Sequence, residues 1–402
     1  MKMFFWLFGC WKNVSQIVPF NEAQEWNEQI VVESNLDVLQ IDIHVGSASD
    51  PVGKEGLAYM AANVIFPPEL NVDIDVGRER IRFRIPVPTS KEEKIVDQVL
   101  DSLVNPMWPE KRQHEVKEKS FVYMKDWSTR ESIAYDIFVQ SLYSGHPYGH
   151  FIFGGQQSLA SITSIDLHNF YTKYFVRSAL LLGWDGKAYR RAIVEKIQVG
   201  LSNVPTSIPN YTTPVSLSLS NNAYAMFISD EEHQKNSIVW GVVVPQATKE
   251  QRMVLMMLKE YMCPSDFKSD EDALVRVYDP IISCSAFISG KDETLAMIEQ
   301  YNVQYQSIHE RSDQNLLNIQ MNVMNKLRSE HMNFVSHEQL FPEFSVSELE
   351  PQVIRKILQE IKIYRPKVLI ISSQSKEFGE DIEYFMEVPV YFLGSSLESF
   401  TQ

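Results

Sequence analysis

The chain has 402 residues, 44% hydrophobic and 22% charged. This is a globular composition in a chain too long for one ordinary core, so two domains of about 200 residues each are expected. A net charge of −15 excludes partners held through a phosphate backbone, because such binding relies on clustered Lys and Arg; no nucleic-acid role is expected.

Cys10, Cys263 and Cys284 form no C-x-x-C pair. Neither a disulfide framework nor a thiolate zinc site is therefore expected, and a reducing, cytoplasmic setting is the simplest reading. Residues 3–11 are apolar. They fall short of the roughly 20 needed to cross a bilayer, and no small-residue cleavage site follows them. A first edge strand or hydrophobic plug is expected there in preference to a signal or surface anchor. No other long apolar segment occurs, so membrane contact is not expected.

Residues 30–32 and 38–45 read as strands, the second alternating Leu39, Ile41, Ile43 and Val45 with polar neighbours, as a sheet with one wet face requires. Residues 56–66 read as a helix, with Leu57, Met60, Ala61, Val64 and Ile65 at the spacing of one buried stripe and Tyr59, Ala62 and Asn63 on the other face. Two alternating runs, 72–76 and 81–85, joined near Gly77, predict a hairpin or meander. Helices are expected at 91–104, 110–127, 133–143 and, as a capped helix-turn-helix, 158–174; a buried strand begins at Ala179 and a helix covers 190–200.

Residues 202–214 hold three prolines among Ser, Thr and Asn with no clear periodicity, and read as a linker. Beyond it the order begins again: strands at 223–228, 238–244 and 281–288, helices at 249–262, 294–308 and 315–331, a helical pair at 345–364, and a strand at 368–371 that matches Leu180, Leu181 and Leu182 in position and type. An internal structural repeat is expected.

The helix at 56–66 sits in a frame of Gly56, Leu57, Ala58 and Phe66, with Gly46 to Pro51 ahead of it. Further on come Asn105-Pro106-Met107-Trp108, then Gly145-His146-Pro147-Tyr148-Gly149 followed by Gly154, Leu159, Ile162 and the Phe170, Tyr171 and Tyr174 helix. Over about 140 residues these features resemble the pitrilysin-like, or inverzincin, zinc metallopeptidases, whose metal helix reads H-x-x-E-H. The second half resembles that family in element order alone.

The family's chemistry needs two imidazoles and a carboxylate on zinc, with a glutamate to activate bound water. Carried over by position, the first His becomes Tyr59, the base becomes Ala62, the second His becomes Asn63, and the third ligand falls near Val122, in a stretch without carboxylates. Hydrolysis by this chain alone is not expected, nor is any metal or other cofactor in it. Tyr59, Ala62 and Asn63 are expected to pack or solvate a helix face, with a substrate contact by Tyr59 as the alternative.

His146 and His150 flank Pro147 and Gly149, which make the segment a turn, so a structural loop is expected and not a metal site. His331 and His337 read as solvated or capping residues, and acid runs such as Asp230-Glu231-Glu232 as solvated turns. No phosphate loop, nucleophile elbow or paired-Cys site is present. In the second half, Arg276 and Tyr278 are the nearest counterparts of an Arg and Tyr with which zinc-free halves of the family bind the substrate backbone; an ordinary surface Arg is the alternative.

The resemblance implies an α+β fold of two similar domains, 1–203 and 215–402, joined by a linker at 204–214, each an antiparallel sheet with helices packed on one face. It further implies a non-catalytic subunit that pairs with a zinc-bearing homologue, completes a closed chamber and binds peptide, with bacteriocin or related peptide maturation as one context. Two rival readings are a purely structural subunit like the core proteins of the respiratory cytochrome complex, and a stand-alone peptide-binding homodimer.

Overall fold

A computed structural model describes residues 16–19, 37–127, 133–185, 191–204, 222–230, 235–244, 247–263, 281–331, 349–373 and 376–394. The residues at 3–11 and 30–32, most of the expected linker, the start of the helical pair at 345, and Arg276, Tyr278 and His337 lie outside them.

The first half builds a five-stranded sheet from β1 (Gln16–Pro19), β2 (Asp37–Ile43), β3 (Asp73–Val76), β4 (Ile81–Val87) and β5 (Leu180–Asp185), in the order β1-β5-β2-β4-β3 with every pairing antiparallel. Alternation decides the faces. Leu39, Ile41, Ile43, Ile81, Phe83, Ile85 and Val87 point to one side and are at most 1% exposed. On that side they join α1 (Leu57–Ile65), α2 (Glu92–Val104), α3 (Glu110–Trp127) and α6 (Ser164–Tyr174) in one core. Among the described residues this half also has the short α5 (Gln156–Ser161), α7 (Arg191–Gly200) and α4 (Ile133–Leu142).

The second half repeats the plan. β7 (Asn236–Val243) is followed by α8 (Lys249–Met262), the outer strand β8 (Ile281–Ile288), the helices α9 (Lys291–Ser307), α10 (Asp313–His331) and α11 (Pro351–Ile361), and the returning strand β9 (Lys367–Ser372). β9-β7-β8 thus stands to α8 as β5-β2-β4 stands to α1, with all these pairings antiparallel. Trp240 of β7, fully buried, donates its indole N–H to Asn302 at 2.8 Å and anchors α9 to the sheet.

Two features differ from the expected sheets. β6 (Tyr224–Ser229) and β10 (Val390–Gly394), the last strand among the described residues, lie parallel to β9 and to one another, so the second sheet, ordered β10-β6-β9-β7-β8, is mixed where an antiparallel one was expected. For β10 the cause is α12 (Lys376–Met386), between β9 and β10: a helical crossover returns the chain to the end from which it left, which makes the two strands it joins parallel.

The second sheet is also covered on both faces. Its own helices pack against Phe227, Ile238, Val242, Val368 and Ile370. Ile133, Ala134, Ile137, Phe138 and Leu142 of α4, a helix of the first half, form a further core with Met226, Ile228, Val239, Val243, Leu369 and Ile371 on the opposite face.

Cys263, at the C-terminal end of α8, is bonded through its sulfur to Cys284 in β8, with Cα atoms 5.7 Å apart. This corrects the expectation that no disulfide forms, and removes the support that expectation lent to a reducing cytoplasm. The two cysteines are 21 positions apart in sequence and meet because α8 packs on β8, a proximity that no spacing rule encodes. Among the described residues no helix is long and apolar enough to cross a membrane.

Candidate functional site at the first helix

The segment ahead of α1 is held by backbone crossings. Gly56 has φ of 92°, and a Cβ on it would lie 2.5 Å from the carbonyl oxygen of Phe153; one on Gly154, at φ of 76°, would lie 2.0 Å from that of Glu55. Only glycine fits at either position, for reasons of both conformation and space. Ser158 Oγ donates to Glu55 O at 2.8 Å and closes the same crossing.

Asp50 takes the first free N–H groups of the helix, accepting from Gly56 at 2.7 Å and from Ala58 at 2.8 Å. Burial pushes its pKa well up, with the nearby Glu55 adding to the effect and the N–H groups opposing it.

The two histidines of the loop after α4 serve this frame. His150 places its ring nitrogens 3.0 Å from Ser47 O and 2.9 Å from Phe151 O, and burial lowers its pKa. His146 accepts the Tyr148 N–H on Nδ1 at 3.1 Å, and its ring packs against Tyr143 and Tyr148. The Tyr148 hydroxyl donates to the Glu79 carboxylate, while Arg78 Nε donates to Tyr148 O at 3.3 Å. These bonds tie the turn between β3 and β4, the loop after α4 and the start of α1 into one unit.

The face of α1 opposite its stripe holds the positions singled out in the sequence. Tyr59 is half-buried and packs on the first core. Ala62 is fully buried. The Asn63 side chain turns back on its own helix, its Nδ2 donating to Tyr59 O at 2.9 Å.

Asn63 O in turn accepts from Arg112 Nη2 of α3 at 3.1 Å, which places a cation by the C-terminal turn of α1, where the helix dipole favours it. Sequence reasoning did not single out Arg112; nothing in its neighbours distinguishes it from the other charges of α3.

Val122 lies further along α3. That helix turns Gln113, Val116, Ser120 and Met124 inward, and Val122 is 60% exposed.

This set does not fit zinc. A methyl group, an amide engaged with its own helix and an exposed valine supply neither imidazole nor carboxylate. Among the described residues no group of three or more His, Cys, Asp or Glu is placed to hold a metal ion. Ala62 offers no group able to take a proton from water.

Beside α1 runs β3, the last strand of its sheet, which pairs with β4 alone among the described residues. Its Ile74 and Val76 pack on the core, while Asp73 and Asp75 are exposed, 3.3 Å from Arg84 and 3.9 Å from Arg80.

No family model matches the sequence, and no curated protein matches it. Solved structures do match its fold. An inactive domain of an M16 peptidase from Pseudomonas fluorescens superposes with a TM-score of 0.63 at 12% identity, covering 85% of this chain and 94% of that one. Pitrilysin superposes with a TM-score of 0.62 at 12% identity over 85% of this chain, which spans 43% of pitrilysin's length. A chain of complex III from Candida albicans gives a TM-score of 0.66 at 11% identity, covering 85% of this chain and 92% of that one. The chain has the pitrilysin-like fold, α+β with two open sheets.

Proposed function

We propose that this protein is a pitrilysin-like family member that acts as the non-catalytic subunit of a heterodimeric zinc peptidase. A zinc-bearing homologous partner supplies metal, general base and water. This chain supplies chamber wall and peptide contacts, and holds no cofactor of its own. The observation that carries the reading is α1 itself: Gly56, Gly154 and Asp50 set its start as tightly as an active site would require, yet Tyr59, Ala62 and Asn63 offer no metal donor set and no base.

The edge of β3 supports a role in binding peptide. An extended segment laid along it gains main-chain hydrogen bonds as an added strand. Positioning of this kind can lower a barrier by several kcal/mol without chemistry by the residues themselves. Arg276 and Tyr278 are proposed as further substrate contacts, and precursors of ribosomally made peptides, bacteriocins among them, as one class of substrate; both rest on the family resemblance.

The test is affinity capture of the tagged chain from its native host, with metal analysis and a peptide-cleavage assay on the chain and on what accompanies it. The expected result is a zinc-free, inert chain that brings down a zinc-bearing homologue whose cleavage requires it. Stoichiometric zinc and cleavage by the lone chain would overturn the proposal. The similarity to a chain of complex III favours a second reading, a structural subunit without peptide function; capture of a large assembly with no zinc homologue in it would select that reading.

A further inference from the structure

Cys263 and Cys284 are 4% and 2% exposed and belong to the core of the second half. Their bond joins the end of α8 to β8, the outermost strand of its sheet, which pairs with β7 alone among the described residues. It therefore fastens an edge strand to the helix that packs on it. Neither cysteine belongs to the site at α1, and the proposed peptidase role makes no use of them.

We propose that the Cys263–Cys284 bond is a modification installed while the chain folds, by exchange with a disulfide-bearing oxidant, and that the compartment in which this protein matures is oxidising. One cysteine thiolate attacks the oxidant's disulfide, forming a mixed disulfide and releasing one oxidant thiol. The second cysteine thiolate then attacks the chain's own sulfur in that mixed bond, closing Cys263–Cys284 and releasing the second oxidant thiol. Two electrons and two protons pass from the pair of cysteines to the oxidant, which leaves as two thiols.

Burial fixes the timing. A mixed disulfide needs space beside the attacked sulfur, and at 2% and 4% exposure the closed core leaves none. The bond forms before α8 settles on β8 and is sheltered from reductants afterwards. A switch toggled in the folded protein would need at least one accessible sulfur, so the geometry assigns a structural clip. Reducing compartments keep such pairs as thiols, and this is the ground for placing maturation in an oxidising one.

The experiment begins with protein from its native host, denatured and alkylated at lysis without reductant, then digested and mapped by mass. The expected result is a linked peptide pair containing Cys263 and Cys284, with the alkyl group on Cys10 alone. Alkylation of both Cys263 and Cys284 would overturn the proposal.

Thermal unfolding of the intact chain supplies the second arm. Refolding with reductant is expected to lower Tm by about 3–5 °C, while the same reductant leaves the already folded protein unchanged over hours. A C263A/C284A variant should match the reduced form and ignore reductant. Rapid reduction of the folded protein would overturn the folding-time assignment, and should the double variant not fold, the alkylation map decides alone.

Discussion

Arg82 of β4 meets Asp42 of β2 through two parallel hydrogen bonds, Nε to Oδ1 and Nη2 to Oδ2, each 3.0 Å long, with the side chains 2% and 0% exposed. The two residues are direct cross-strand partners on the face of the first sheet turned away from α1. A buried pair of this geometry adds little over an apolar pair of the same shape, yet losing one member strands a charge. Arg82→Met is therefore expected to cost about 3–5 kcal/mol in urea unfolding, and Asp42→Leu with Arg82→Met to recover most of it. A double variant no more stable than the single one would show that packing on that face, and not the stranded carboxylate, sets the cost.

Asp136 lies on α4, and burial raises its pKa from 3.8 to about 6 against the opposing pull of Arg78. Because the folded value is the higher one, the folded chain keeps a proton that the unfolded chain releases between those two values. Stability attributable to this carboxyl is present at low pH and is lost as pH rises through about 6. Asp136→Asn, neutral at every pH, is expected to be more stable than the parent at about pH 7.5, with the advantage shrinking toward about pH 4.5. Urea curves at the two pH values test this, and an advantage that does not change with pH would remove Asp136 as its source.

Gly53 and Gly154 share a left-handed conformation, with φ of 80° and 76°, but differ in surroundings: a Cβ on Gly53 meets nothing within 4 Å, whereas one on Gly154 strikes Glu55 O. Gly53→Ala should cost about 1–2 kcal/mol, the conformational penalty alone. Gly154→Ala should cost more, about 3 kcal/mol or above, because the backbone crossing that seats α1 has to part. Equal losses of Tm in the two variants would mean that the crossing yields easily.

Restoring the family letters on α1 alone should not restore a peptidase. The triple variant Tyr59→His, Ala62→Glu, Asn63→His still has a 60%-exposed valine, Val122, at the α3 position of the third ligand, and keeps Arg112, paired with Glu115, beside position 63. Metal analysis after desalting is expected to find well under one zinc per chain, with no peptide cleavage. One tightly held zinc would reveal a third ligand that the arrangement of α3 does not suggest.

Much of this architecture is written locally. The start of α8 is set by Thr248 and Gln251, which exchange bonds as a capping box, and the apolar stripe that follows runs to Met262, where the sequence places the helix end. The start of α3 at Glu110 follows directly on Pro109.

What escaped the sequence is long-range. β1, α12 and β10 were not anticipated, and the parallel pairing of β6 depends on strands more than a hundred residues away. The disulfide depends on how α8 lies on β8. Asn63's turn back on its helix and the reach of Arg112 depend on side-chain directions that spacing does not encode. One long-range feature does carry a signal in the sequence: α4 is apolar almost all round, as befits a helix buried on more than one side.

That helix has a practical consequence for anyone who cuts the gene. A fragment beginning after the proline-rich stretch would carry the second sheet without α4, leaving Met226, Ile228, Val239, Val243, Leu369 and Ile371 as a bare oily surface. Such a surface draws copies of the fragment together. The two halves are thus tied by more than the stretch of chain that connects them, and the smallest piece that keeps the second sheet dry has to begin before Ile133.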